Sequence, residues 1–164
     1  MIRETIRPHL RSAGFTKKRN TFARDVDCAR QSVEFQASQF GSREHVKFTI
    51  NVGVDYEPLD DPWQLRVRIG HLLPRGEDTW WELADTTDVG DLEARLADLL
   101  DQHALPWFED RKTFSDLQEL LTRRPDRIDI ESLDRLAVLC RRAGLDELPT
   151  TALAEADHRR RRSP

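Results

Sequence analysis

Only two cysteines, Cys28 and Cys140, occur in the 164 residues, and they lie far apart. A disulfide-stapled scaffold is therefore not expected, and a reducing compartment fits. Both read as small apolar residues, buried or half-buried. No apolar run approaches the roughly 20 residues of a membrane-spanning helix, and the start, Met-Ile-Arg-Glu-Thr, lacks signal-peptide character. The expectation is a cytoplasmic protein with no membrane contact. His9, His45, His71, His103 and His158 show no i, i+4 pairing and no neighbouring cysteine pair, so no metal site is expected. A nucleophile elbow, a glycine-rich phosphate loop and a dinucleotide fingerprint are lacking too, and with them the enzyme classes they mark. No catalytic residue and no cofactor is expected. Lysine is scarce, with only Lys17, Lys18, Lys47 and Lys112, so arginine carries most of the positive charge.

What is present is mixed charge. Charged residues make up 34% of the chain and hydrophobic ones 38%, with a net charge of −4. That balance describes a well-solvated globular surface and exerts no global pull on nucleic acid or anionic membrane. The length suits one domain with a small appendage.

The most informative stretch is Arg30 to Val54. Val33, Phe35 and Ala37 alternate with Glu34, Gln36 and Ser38; Phe48, Ile50, Val52 and Val54 alternate with Lys47, Thr49 and Asn51. Alternation predicts strands with one dry face, and the short connection between the runs predicts an antiparallel hairpin. Thr21–Val26 reads as a preceding strand, entered by a polar turn at 16–20. Leu65, Val67 and Ile69 read as a following strand, and Thr79–Leu83 as a short edge strand. Ile2, Ile6, Leu10 and Ala13 have helical spacing, closed by Gly14; either the helix begins near Thr5, which leaves Pro8 in the tolerated first turn, or Pro8 kinks it. Val89, Leu92, Leu96, Leu99, Leu100 and His103 form an apolar stripe behind an Asp88 cap, ending before Pro106. A capping box at Ser115–Gln118 opens another helix, and Asp129 or Ser132 opens one more.

The predicted fold is α+β. An antiparallel four- to five-stranded meander sheet is packed on one face by the N-terminal helix and the longer helix after Asp88, and a helical appendage follows. The expected division is 1–122 for the α+β domain, 123–157 for the appendage and 158–164 for a disordered Arg-rich tail.

Six segments occur in a telling order: Gly14-Phe15-Thr16-Lys17-Lys18 leading to Thr21-Phe22, Phe35-Gln36-Ala37-Ser38, Phe48 to Val54, Arg68-Ile69-Gly70, Trp80-Trp81-Glu82-Leu83, and Leu105-Pro106-Trp107-Phe108. In that order they resemble the bacterial domain of unknown function 4304 family, from about Ile2 to about Leu121. The resemblance implies a small intracellular bacterial protein and carries no catalytic residues with it.

Candidate binding residues are Gln36, Ser38 and Asn51 on the polar face of the hairpin, with Arg66 and Arg68 beside them. Gln36 and Asn51 are poor strand formers, which an ordinary solvated face would not favour. Trp80 and Trp81 complete the set: adjacent strand residues face opposite sides, so one is expected buried and the other partly exposed beside acidic neighbours. The leading expectation is a non-catalytic module, adaptor or immunity-like, that binds a protein partner. The alternative is a nucleic-acid or phosphate-ligand binder using Lys17, Lys18, Arg19, Arg66 and Arg68, with Phe15 and Phe22 interleaved among the basic residues.

Overall fold

The computed structural model describes residues 6–39, 46–59, 61, 64–147 and 149–162. Six strands form one sheet: β1 (Thr16–Lys18), β2 (Thr21–Val26), β3 (Ala29–Ala37), β4 (Val46–Tyr56), β5 (Leu65–Arg68) and β6 (Trp81–Leu83). The order is β1-β2-β3-β4-β5, with β6 pairing antiparallel to the start of β4. Its register sets Val46 against Leu83, Lys47 against Glu82 and Phe48 against Trp81. The four residues of β5 cannot cover the eleven of β4, and β6 takes up pairing positions left at its start. The polar stretch 16–20, expected to be a turn, includes strand β1; only Arg19 and Asn20 turn, with Arg19 at φ 58°. The expected connection of the central hairpin, 40–44, lies outside the described residues.

Two compact units divide the chain. The first comprises Met1–Arg24, Gln31–Val52 and Val67–Glu109; the second comprises Asp25–Arg30, Gly53–Arg66 and Asp110–Pro164. The second unit thus groups two internal stretches of the sheet region with the C-terminal helices.

In the first unit, helix α1 (Ile6–Ser12) buries Ile6 and Leu10 and carries Pro8 in its first turn. Gly14, at φ 86°, ends it: the Gly14 and Phe15 amides donate to the Arg11 and Leu10 carbonyls, a left-handed cap that glycine adopts without steric cost. Helix α1 packs against β1 and against α2 (Val89–Leu99), whose first turn is capped by the Asp88 carboxylate accepting from the Asp91 amide at 3.0 Å. The helix does not stop before Pro106. It widens into a π segment, Leu100–Ala104, and continues as α3 (Leu105–Glu109). Proline has no amide hydrogen and crowds the preceding turn; the wider segment, in which the Leu105 amide reaches back to the Leu100 carbonyl, accommodates it. Phe108 is then fully buried, with its ring 5.8 Å from Phe15.

Arg24 ties this unit together from within. It donates to the Ala13 carbonyl at 2.7 Å and to Gln31 Oε1 at 2.8 Å, and lies 4.7 Å from the Phe15 ring centre. Gln31, fully buried, donates in turn to the Phe108 carbonyl at 3.0 Å. Burial lowers the Arg24 pKa and Glu109 opposes that shift.

The second unit holds helices α4 (Phe114–Arg123), α5 (Ile130–Arg142) and α6 (Pro149–Arg162). The capping box of α4 is Thr113 with Asp116, two residues before the expected Ser115: Thr113 Oγ1 accepts from the Asp116 amide at 3.1 Å and Asp116 Oδ2 from the Thr113 amide at 2.8 Å. Asp129 caps α5, accepting from the Ser132 amide at 2.8 Å. Leu117, Leu120, Leu121, Leu133 and Leu136 are fully buried, each worth about 1.5–3 kcal/mol of transfer free energy. Residues 158–162, expected to be disordered, continue α6. Arg159 donates to the Ile128 carbonyl at 2.7 Å and also to the Pro125 carbonyl, and Arg160 pairs with Asp134. Arginine favours helix and its charge complements a helix C-terminus, so these anchors extend the helix.

Two stability outcomes follow. A Cβ on Gly70 would sit 2.2 Å from the Glu77 carbonyl oxygen and 2.7 Å from the Thr79 amide nitrogen, both backbone atoms. Gly70→Ala should therefore cost about 3 kcal/mol, a fall of about 6–12 °C in Tm by differential scanning calorimetry; a fall under about 2 °C would refute the close approach. Arg159→Ala should cost about 1–3 kcal/mol in urea unfolding, against no more than about 0.5 kcal/mol for exposed Arg161→Ala. Equal effects would mean that the Arg159 anchors carry nothing.

Candidate functional site

Strand β4 is buried from Phe48 to Val54, on its polar side as well as its dry one. Polar groups taken out of water need partners, and here they have them. Thr49, fully buried, donates to the Thr79 carbonyl at 2.9 Å. Asn51, 4% exposed, donates to Gln36 Oε1 at 2.9 Å and to Glu34 Oε2 at 3.2 Å. Gln36 is exposed and Ser38 half-buried, with the Ser38 amide donating to the Lys47 carbonyl at 2.8 Å. The poor strand formers are thus partly explained by each other: Asn51 and Gln36 make a cross-strand bond. The face is neither a plain solvated surface nor an open pocket. It is closed at Thr49 and Asn51 and open at Gln36.

The Thr49 bond pins the segment that bears a second group. Arg68 pairs with the Asp78 carboxylate, and its guanidinium carbon lies 5.2 Å from the Trp80 ring centre. Trp80 Nε1 donates to Asp78 Oδ2 at 3.1 Å, while 36% of the residue remains exposed. Trp81, half-buried, faces the dry side and stacks on Phe48 with centroids 5.8 Å apart and planes at 30°. Lys47 and Glu82 form an ion pair at 2.5 Å. Of the seven candidate residues, Gln36, Ser38, Asn51, Arg68, Trp80 and Trp81 lie in the first unit. Arg66 belongs to the second, where it is half-buried.

Of the basic set, Lys17 and Lys18 lie on β1, Arg19 in the turn after it, and Arg66 and Arg68 on β5. Lys17, Lys18 and Arg19 are exposed, with Lys17 Nζ 5.4 Å from the Phe22 ring centre. Phe15 and Phe22 are 1% and 2% exposed, so neither ring is presented for base stacking.

A recess of about 470 Å³ opens in the second unit, and sequence reasoning missed it. Asp25, Asp27, Asp55, Glu57 and Asp61 line it together with Arg30, Cys28 and Tyr56. Glu57 and Asp61 are recognisable as loop acids, but only the fold brings the β2–β3 turn beside them. Arg30 pairs with Asp25 at 3.1 Å, and Asp61 lies 4.0 Å from Arg142. Gln64 bridges this wall: its side chain accepts from the Tyr56 amide at 2.7 Å and donates to the Tyr56 carbonyl at 2.9 Å. Cys28 Sγ accepts from the Phe114 amide at 3.2 Å, and burial pushes the Cys140 thiol up. Among the described residues, no group of three or more His, Cys, Asp or Glu side chains is placed to hold a metal ion.

Tyr56 is 1% exposed, and its hydroxyl has no hydrogen-bond partner among the described residues. Burial pushes its phenol well above the ordinary value; nearby Arg111 opposes this, and Asp116 and Asp110 add to it. Because the folded phenol keeps its proton after the unfolded one ionises, stability from this group is present below about pH 10 and is lost as pH rises further. Tyr56→Phe should flatten that alkaline loss and leave neutral stability unchanged or raised by about 1 kcal/mol. Urea unfolding of both proteins across this range checks it; parallel alkaline slopes would contradict the assignment.

A family model described as a domain of unknown function, DUF4304, matches residues 6–110. No curated protein and no solved structure matches the chain. The match stops at Asp110, before helices α4, α5 and α6 of the second unit. Among the described residues no helix is long and apolar enough to cross a membrane. With its matched segment covering more than half of its length, the chain belongs to the DUF4304 family.

Proposed function

We propose that this chain is a non-catalytic protein-binding module of the bacterial cytoplasm, adaptor or immunity-like, which engages its partner through Trp80. The observation that carries this reading is an exposed tryptophan already held in place. Arg68 covers the ring, Asp78 accepts its indole N–H and pairs with Arg68, and the Thr49 bond fixes the adjoining backbone. Tryptophan and arginine dominate interface hot spots, and a side chain ordered before association loses less entropy on binding. The amide face of the sheet supports a ligand pocket less well, since Thr49 and Asn51 spend their donors internally. Free Cys28 and Cys140 support the reducing compartment. Lys17, Lys18 and Arg19 support nucleic-acid binding less well, because the neighbouring aromatics lie in the core.

The test is photocrosslinking in the native host. Benzoylphenylalanine in place of Trp80 should give a discrete protein adduct, and the same residue in place of Val138, 52% exposed on α5, should not. In the purified complex, Trp80→Ala should weaken binding by at least about 2 kcal/mol. No adduct from position 80, or the same adducts from both positions, would overturn the reading.

A further inference from the structure

We propose that the Trp80 surface accepts a cationic side chain, an arginine or lysine carried on an exposed basic segment of the protein partner. This deepens the protein-binding reading and rests on it. The charge left over around Trp80 decides the sign. From Glu77 to Asp88 the chain carries five carboxylates and no lysine or arginine. Two of the five are neutralised from elsewhere in the unit, Asp78 by Arg68 and Glu82 by Lys47. Asp88 caps α2. Glu77 and Asp85 are exposed. Arg75, exposed two positions before Glu77, adds one cation, so five carboxylates face three cations, Arg68, Lys47 and Arg75, and the field stays negative.

The ring matches that field. An indole face carries the negative end of its quadrupole and attracts a cation within about 6 Å of the centroid. Arg68 already uses that attraction, with its guanidinium carbon at 5.2 Å, and the exposed part of Trp80 is left for a second cation. Two guanidinium groups about one indole would repel, but Asp78 bonds both the Arg68 head and the indole N–H and compensates the first charge. A phosphate or an acidic peptide would instead meet the exposed carboxylates of Glu77 and Asp85, at a cost in both encounter rate and affinity.

The test is an NMR titration of the full chain with a blocked Gly-Arg-Gly-Arg-Gly peptide, its citrulline and glutamate counterparts, and an oligothymidylate. The readout is the Trp80 indole N–H resonance, assigned with Trp80→Phe. The arginine peptide should shift it, several-fold more weakly at high salt. Citrulline, of the same shape without charge, should leave it unmoved. Glu77→Gln and Asp85→Asn, both at exposed positions, should each weaken binding about two- to fivefold. Equal binding of the citrulline peptide, a shift by the glutamate peptide or the oligonucleotide, or none by the arginine peptide would overturn the proposal. If the peptides fail while crosslinking from position 80 persists, the cationic chemistry is wrong and the binding module stands. If crosslinking fails, that module falls whatever the peptides do.

Discussion

Burying β4 on both sides sets the terms for the first unit. Its dry side needs only apolar neighbours, and Ile50 and Val52 are fully buried among them. Its polar side holds Thr49 and Asn51, whose buried donors would cost about 1–3 kcal/mol each if left unmade. Thr49 finds the Thr79 carbonyl; Asn51 finds Gln36 and Glu34. For the backbone at Glu77–Thr79 to come this close, residue 70 must have no side chain, and it is glycine. A hydrogen bond from the sheet thus goes with a required residue type in the short 3-10 helix, Ile69–Leu72, that follows β5.

The same requirement shapes the surface. The loop that satisfies Thr49 presents Asp78 and Trp80 next to it, and Arg68 on β5 meets both. Alternation sends Trp81 to the other side, onto Phe48, so of two adjacent tryptophans one is a packing residue and the other a surface feature. A large apolar side chain on a surface is ordinary; one held by a cation and a carboxylate is ordered before any partner arrives.

The second unit solves a different problem. Its three helices bury leucines, and their ends need closing. Thr113, Asp116 and Asp129 close N-termini, while Arg159 reaches the carbonyls of Pro125 and Ile128. Tyr56 keeps a buried hydroxyl without a hydrogen-bond partner among the described residues, beside the charged pair Arg111 and Asp110.

Local periodicity was enough to determine the α+β class, the central strand pair, the Asp88 cap and the Gly14 stop, because each depends on neighbours within a few residues; it left the start of α5 open between Asp129 and Ser132, and it expected a buried tryptophan where Trp81 is half-buried. The order of the six segments was enough for the family. What depended on distant partners was invisible. A run of four arginines reads as a solvated tail until Arg159 meets two carbonyls more than thirty positions away. Pro106 reads as a stop until the preceding turn widens. Nothing local marks Arg24 as the residue that joins Ala13 to Gln31. Gln36 and Asn51 stood out in the sequence for their poor fit to an ordinary strand. Only the tertiary structure could show that they bond to each other, and that the exposed aromatic among the described residues of this unit is Trp80, because exposure is decided by what packs against a residue and not by the residue itself.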